Sequence, residues 1–182
     1  MSEPPAQIEH AVEAAKSGQW DRLLSEWERS DVLAGRCSRH AEPGSSWSFL
    51  HQAARCGHAR ACRALIARGA FVDALSHDSR TPADVAGQNG HHELAAFLRD
   101  ASIGRDSLWA PQTDPDLHPA SNRWREATPA KADVNMKVGY GGGVVRIRKG
   151  EPYFTDALGR VLVGWHGTFN PPRGMDGDSM IE

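Results

Sequence analysis

The chain has 182 residues, enough for one compact domain or one modest domain with an appendage. Hydrophobic residues at 40%, charged residues at 24% and a formal net charge of -2 leave no overall basic field, which argues against nucleic acid as a partner. No run of about 18 apolar residues occurs, so membrane insertion is not expected, and a cytoplasmic location, or the nucleus, follows. The three cysteines, Cys37, Cys56 and Cys62, lack CxxC spacing and read as reduced thiols rather than a disulfide framework or zinc cluster.

In chain order, the first helical segment is HAVEAAKSGQWDRLLSEWERSDV, starting at His10, in which Ala14, Ala15 and Gly18 prefigure a later pattern. CSRHAEPGSS (37–46) follows and reads as a loop. SFLHQAARCGH (48–58) then laid over TPADVAGQNGH (81–91) aligns Ser48 with Thr81, Ala53 with Ala86, Gly57 with Gly90 and His58 with His91, each 33 residues apart. The first copy stands 39 residues before the second, and the loop is expected to absorb the excess. Small residues let neighbouring helices approach closely, Gly57, Gly69 and Gly90 suit left-handed helix ends, and Thr81-Pro82 opens a helix with a capping hydroxyl. Leu65, Ile66, Leu94, Phe97 and Leu98 fall at helical spacing on a buried stripe.

With LHQAA, CGH, ALIARGA and VDA in one unit and RTP, NGH and ELAAFL in the next, the segment resembles the ankyrin-repeat family. The resemblance implies about three helix pairs over residues 5–103, the outer two acting as caps, and binding of another protein through turn tips and inner-helix faces. Departures are Ser48-Phe49 for the usual Thr-Pro, Ala83-Asp84 for Leu-His, and Asp73 where asparagine is frequent, so asparagine hydroxylation known in the family is not carried over. The candidate partner-binding residues are Trp47, Phe71, His77, Asp78 and Arg80 on the tips, with Gln52, Arg55 and Gln88 on helix faces. Trp47 and Phe71 fit equally well between repeats.

Beyond the repeats (1–103), residues 104–136 read as a Pro-rich irregular linker, with Trp109 and Trp124 expected to pin it to the ankyrin surface. Residues 137–182 read as a small antiparallel β-meander with a polar tail: Val145 and Ile147 alternate with Arg146 and Arg148, and Val161, Val163 and Trp165 recur at period two. Gly150-Glu151 and DALG (156–159) are the expected turns. Three short strands do not cover these side chains, so the meander is expected to dock on the last repeat around Leu94, Phe97 and Leu98, or on a partner. The fold class is thus mainly α: an ankyrin solenoid, an irregular linker and a small β-meander.

The chemistry signals are weak. YGGG (140–143) lacks the Lys-Ser/Thr of a phosphate loop. WHGT (165–168) is similar to the opening His-Gly-Thr of the poly(ADP-ribose) polymerase type of fold, but too few residues follow to complete it. His51, His58 and His91 occupy motif positions that tie turns together, and MDGD lacks the closing glutamate of a calcium loop. No catalytic, cofactor or metal residue is singled out. The functional expectation is a non-enzymatic scaffold or adaptor. The alternative is a small catalytic or ligand-binding C-terminal domain using Tyr140, Tyr153, Asp156 and His166, its substrate selected by the repeats.

Overall fold

The computed structural model describes residues 4–103, 114–140 and 143–164, together with residues 173, 176, 178 and 179. Two compact units divide the chain, 1–105 and 106–182. The first is helical: α1 (Pro4–Lys16), α2 (Trp20–Arg29), α3 (Asp31–Arg39), α4 (Phe49–Arg55), α5 (Ala59–Ala67), α6 (Pro82–Gln88) and α7 (His92–Ile103). Helix α4 packs between α1 and α6, and α5 lies against α2 and α3. The small residues do what their spacing predicts: Ala14, Ala15, Ala53, Ala54 and Ala86 are all buried along the row α1, α4, α6. Leu23, Leu50, Leu65, Ile66 and Leu98 fill the space between helices, each worth about 2 kcal/mol or more of burial.

The ends of the helices are set locally. Ser48 caps α4 and Thr81 caps α6, each answered by a side chain at the third helical position, His51 and Asp84 respectively. The return turns repeat a positive φ at Gly18, Gly57 and Gly90. At Gly57 the need for glycine is twofold, because an added Cβ would stand 2.5 Å from the imidazole of His91.

One expectation in this unit is corrected. The segment read as a loop is not all loop, because α3 starts ahead of it at Asp31 and runs into it through Arg39. Ser30 caps α3 by accepting the Leu33 amide at 3.3 Å, and its buried face consists of Ala34, Gly35, Cys37 and Ser38, too small a stripe to stand out as a periodic apolar signal. Burial pushes the thiols of Cys37 and Cys62 up to about 12, so both are unreactive packing residues, while Cys56 is exposed.

In the second unit, strands β1 (His118–Ser121), β2 (Thr128–Lys131), β3 (Met136–Tyr140), β4 (Gly143–Ile147), β5 (Pro152–Thr155) and β6 (Val161–Leu162) form one sheet in the order β2-β5-β6-β1-β3-β4. The C-terminal region is thus a sheet as expected, but larger than a three-stranded meander and mixed, since β1 runs parallel to both β3 and β6. Two of its six strands, β1 and β2, come from the segment read as an irregular linker. Prolines misled there: Pro129 lies on an edge strand, which tolerates the loss of a donor, and β1 meets each neighbour over only two residues, so no continuous ladder crosses Pro119.

The DALG turn forms, with the Gly159 amide donating to the Asp156 carbonyl at 3.0 Å and β5 antiparallel to β6. The turn near Gly150 spans Arg148–Glu151, one residue earlier than expected, and it joins no hairpin: β4 pairs with β3 and β5 with β2. Ala132, Met136, Val138, Ile147, Val161 and Val163 make the sheet's own core. That core covers side chains that a three-stranded meander leaves open. Trp124 is buried with its ring 6.1 Å from that of Phe154, an apolar home within the sheet unit; Trp109 lies outside the described residues, as do Trp165 and His166. Among the described residues no helix is long and apolar enough to cross a membrane.

Candidate functional site

The second and third repeats each contribute a turn tip. In the first of these tips the Glu42 amide donates to the Trp47 carbonyl at 2.8 Å, with Ala41 bridged to Ser48; in the second, the Ser76 amide donates to the Arg80 carbonyl at 3.0 Å. The His77 amide then donates to the Ser45 carbonyl at 2.8 Å, which joins the two tips edge to edge. Buried His51 connects tip and helix. Its Nδ1 accepts from the Ser48 amide at 3.2 Å, so Nε2 carries the proton and donates to the Arg80 carbonyl at 3.0 Å. Burial holds this imidazole below its ordinary pKa, in keeping with a neutral ring.

On this frame Arg80 organises a polar set. Its Nη2 donates to the Asp78 carboxylate at 2.5 Å and its Nη1 to the Gln88 side-chain oxygen at 3.0 Å, while its Nε is buried with no acceptor among the described residues. His77 and Asp78 are exposed beside it. Trp47 and Gln52 form a second group. The Trp47 ring lies half-buried 5.6 Å from the His51 ring, and with Gln52 it lines a shallow hollow of about 10 Å³ bounded also by Val12, Ala15, His40 and Glu42. The Gln52 side-chain oxygen is buried there without a donor among the described residues. Lys16 and Glu42 meet at 2.5 Å, and this hydrogen bond, more than any other influence, raises the lysine above its ordinary pKa.

Two candidates stand apart. Arg55 is exposed at the end of α4, and its carbonyl accepts from His91 Nε2 at 3.1 Å, a tie between repeats rather than a surface feature. Phe71 is half-buried beneath the Arg39 guanidinium, 5.7 Å from the ring centroid, and belongs with the Arg39 to Arg68 bond that closes α3 onto α5. The histidines act as structural ties: besides His51 and His91, His58 caps α5 by accepting from the Ala61 amide at 3.1 Å. Asp73 accepts from the Ser102 hydroxyl.

Sequence reasoning missed Val12, His40 and Glu42. The repeat alignment reaches Val12, which stands 39 residues before His51, in the first-repeat version of that position. His40 and Glu42 lie in the insertion, outside the repeat, and only the folded tip brings them to the hollow.

The C-terminal alternative loses a member on geometry. Asp156 is buried and its carboxylate accepts from the Leu158 and Arg160 amides, each at 2.9 Å, and from Arg160 Nε at 2.8 Å. It is occupied in holding its turn. Tyr140 and Tyr153 pack half-buried against the sheet core.

Comparison with known proteins agrees with the helical unit. The family described as ankyrin repeats (3 copies) matches residues 12–106. Calmodulin-binding transcription activator 4 of Arabidopsis thaliana is 34% identical over 84 residues, which are 43% of this chain and 8% of that protein. With its helix pairs, its tied tips and a match over more than half its length, the chain belongs to the ankyrin-repeat family, a protein-interaction module.

Proposed function

We propose that this chain is a non-enzymatic adaptor that holds a partner protein along the joined tips and the exposed side of α4 and α6, with Trp47, Gln52, Asp78, Arg80 and Gln88 as the contact set. One observation carries the reading: a buried acceptor, Gln52 Oε1 on α4, and a buried donor, Arg80 Nε in the second tip, both lack partners among the described residues. A buried polar atom without a partner costs about 1–3 kcal/mol, and a bound chain's amide and carbonyl relieve that cost. The half-buried Trp47 beside the hollow adds the amphipathic anchor common at interface centres. His77 and Arg55 flank this set, and Phe71 falls outside it.

The Arabidopsis relative's name speaks of calmodulin binding and transcription activation, but the shared stretch is a small part of that protein. What carries over is the repeat module. Residence in the cytoplasm or nucleus fits this reading.

The test is capture of partners by the full chain, compared among wild type, Gln52→Ala with Arg80→Gln, and Arg60→Ala on the exposed side of α5. The expected result is that proteins retained by wild type and Arg60→Ala are lost from the double variant, whose melting temperature changes little because the Gln52 side-chain oxygen has no donor among the described residues and the Arg80 bonds to Asp78 and Gln88 are solvent-exposed. Hydrogen exchange on the recovered complex should slow at residues 42–52 and 76–88. Equal retention by all three, or slowing confined to other residues, overturns the reading.

A further inference from the structure

Strands β3 and β4 present a basic face that the ankyrin surface does not account for. Register places Lys137 directly opposite Arg146, and both are exposed. Arg148, past buried Ile147, continues the same alternation, and Lys149 follows on the turn. The turn is held firmly: the Arg148 amide donates to the Glu151 carboxylate at 2.7 Å and the Lys149 amide to Asn135 Oδ1 at 2.9 Å. Lys137, Arg146, Arg148 and Lys149 make no ion pair among the described residues, although the neighbouring Arg123 and Arg160 each do.

Like charges directly opposite one another on paired strands destabilise a sheet. Protection of an exposed edge against aggregation accounts for charge on β4, which is an edge strand, but not for Lys137, which lies on the strand inside it. Among these cations Val144 stands 49% exposed, opposite Gly139, so the outer face reads Val144, Arg146, Arg148 at period two along an edge with no further strand among the described residues. A phosphate backbone makes no use of an exposed valine and an unpaired strand edge. An extended peptide uses both: its main chain continues the ladder, and its same-face side chains meet Val144, Arg146 and Arg148 in turn.

We infer that the β3–β4 edge is a second binding surface, independent of the ankyrin face, which takes an acidic peptide as an added strand with acidic residues opposite Arg146 and Arg148 and an apolar one opposite Val144. Lys137 lies within reach of the acid opposite Arg146, so the like-charge pair that strains the free sheet is neutralised in the complex.

The probe is a short fluorescein-labelled peptide of repeating order Thr-Glu-Thr-Glu-Thr-Val, followed by anisotropy with the full chain; its comparators are the same peptide methylated on the backbone nitrogens, the lysine-for-glutamate peptide, and single- and double-stranded DNA oligonucleotides. Binding of the acidic peptide is expected, about tenfold weakened by Lys137→Glu and by added salt, and lost with the methylated and basic peptides. Lys137→Glu should at the same time raise the melting temperature by about 2 °C, because it turns a repulsive cross-strand pair into an attractive one. Lys137→Gln serves if the charge reversal does not fold. Tighter binding of either DNA than of the peptide, equal binding of the methylated peptide, or no binding at all would overturn the inference.

Discussion

The two units contrast in how their long-range ties are arranged. In the helical unit the ties recur at nearly the same reach: Arg39 to Arg68, His51 to Arg80 and Ser102 to Asp73 each span 29 residues, and His91 to Arg55 spans 36. In the sheet unit β1 meets β3 on one side and β6 on the other, and β2 reaches past two strands to β5, so no spacing repeats. A solenoid writes one solution several times, whereas a mixed sheet writes each pairing once.

The sharpest way to break this contrast is to open one cavity in each unit. Leu65→Ala and Ile147→Ala remove fully buried side chains, and each is expected to cost about 2–5 kcal/mol in chemical denaturation. They should differ in reach. Because each repeat buries its face against the next, loss of Leu65 should lower hydrogen-exchange protection in α1, α4 and α6 alike, whereas loss of Ile147 should act mainly on β3 and β4. Undiminished protection in α1 and α6 of the Leu65 variant would mean the repeats do not stabilise one another.

A smaller effect isolates a single tie between repeats. Gly18 and Gly57 share a positive φ, but a Cβ at Gly18 meets nothing within 4 Å while one at Gly57 meets the His91 ring. Gly18→Ala should cost about 1–2 kcal/mol for backbone conformation alone, and Gly57→Ala more. Equal losses from the two would show that the His91 ring moves aside freely.

The pH dependence sharpens the same point at His51. Its folded pKa lies below the unfolded value of 6.5, so the stability it contributes is complete above 6.5 and is lost as pH falls through the lowered folded value. Protonation of Nδ1 also removes the acceptor for the Ser48 amide. Urea midpoints measured from neutral to acid pH should fall in wild type and fall less in His51→Gln. Parallel curves would exclude His51 as the cause.

The smallest change is expected from Asp84→Asn, at about 0.5 kcal/mol near neutral pH, since an asparagine oxygen still accepts from Thr81 but without charge. Hydrogen bonds from the Thr81 amide and hydroxyl hold the Asp84 carboxyl below its ordinary value of 3.8, so the difference should vanish as pH falls through that lowered value. A difference that persists in acid would point to packing instead of charge.

Most of the helical unit was legible because its rules are local or periodic. The alanine pairs, the positive-φ glycines and the caps at Ser48 and Thr81 each announce themselves within a few residues, and the spacing repeats them. Helix α3 was not legible, since its stripe of Ala34, Cys37 and Ser38 carries little apolar contrast. The members of the candidate surface were named from their repeat positions, which do not record how they group. Tip residues were read from position, but Phe71 turned away under Arg39, and Gln52 gained its meaning only from a hollow completed by Val12, His40 and Glu42.

By itself, then, the amino-acid order determined the repeat, the helix ends, the small-residue interfaces and the period-two run around Ile147, all of which follow from steric and hydrogen-bond requirements acting over a turn or a strand. Tertiary structure alone decided that the proline-rich segment supplies strands, that β1 takes parallel partners on both sides, that Lys137 faces Arg146, and that Gln52 Oε1 and Arg80 Nε have no hydrogen-bond partner among the described residues. Those outcomes depend on which distant segments meet. Strand pairing is selected by the burial of a shared core such as Met136, Val138, Ile147 and Val161, and no short-range pattern records which partner that core will choose.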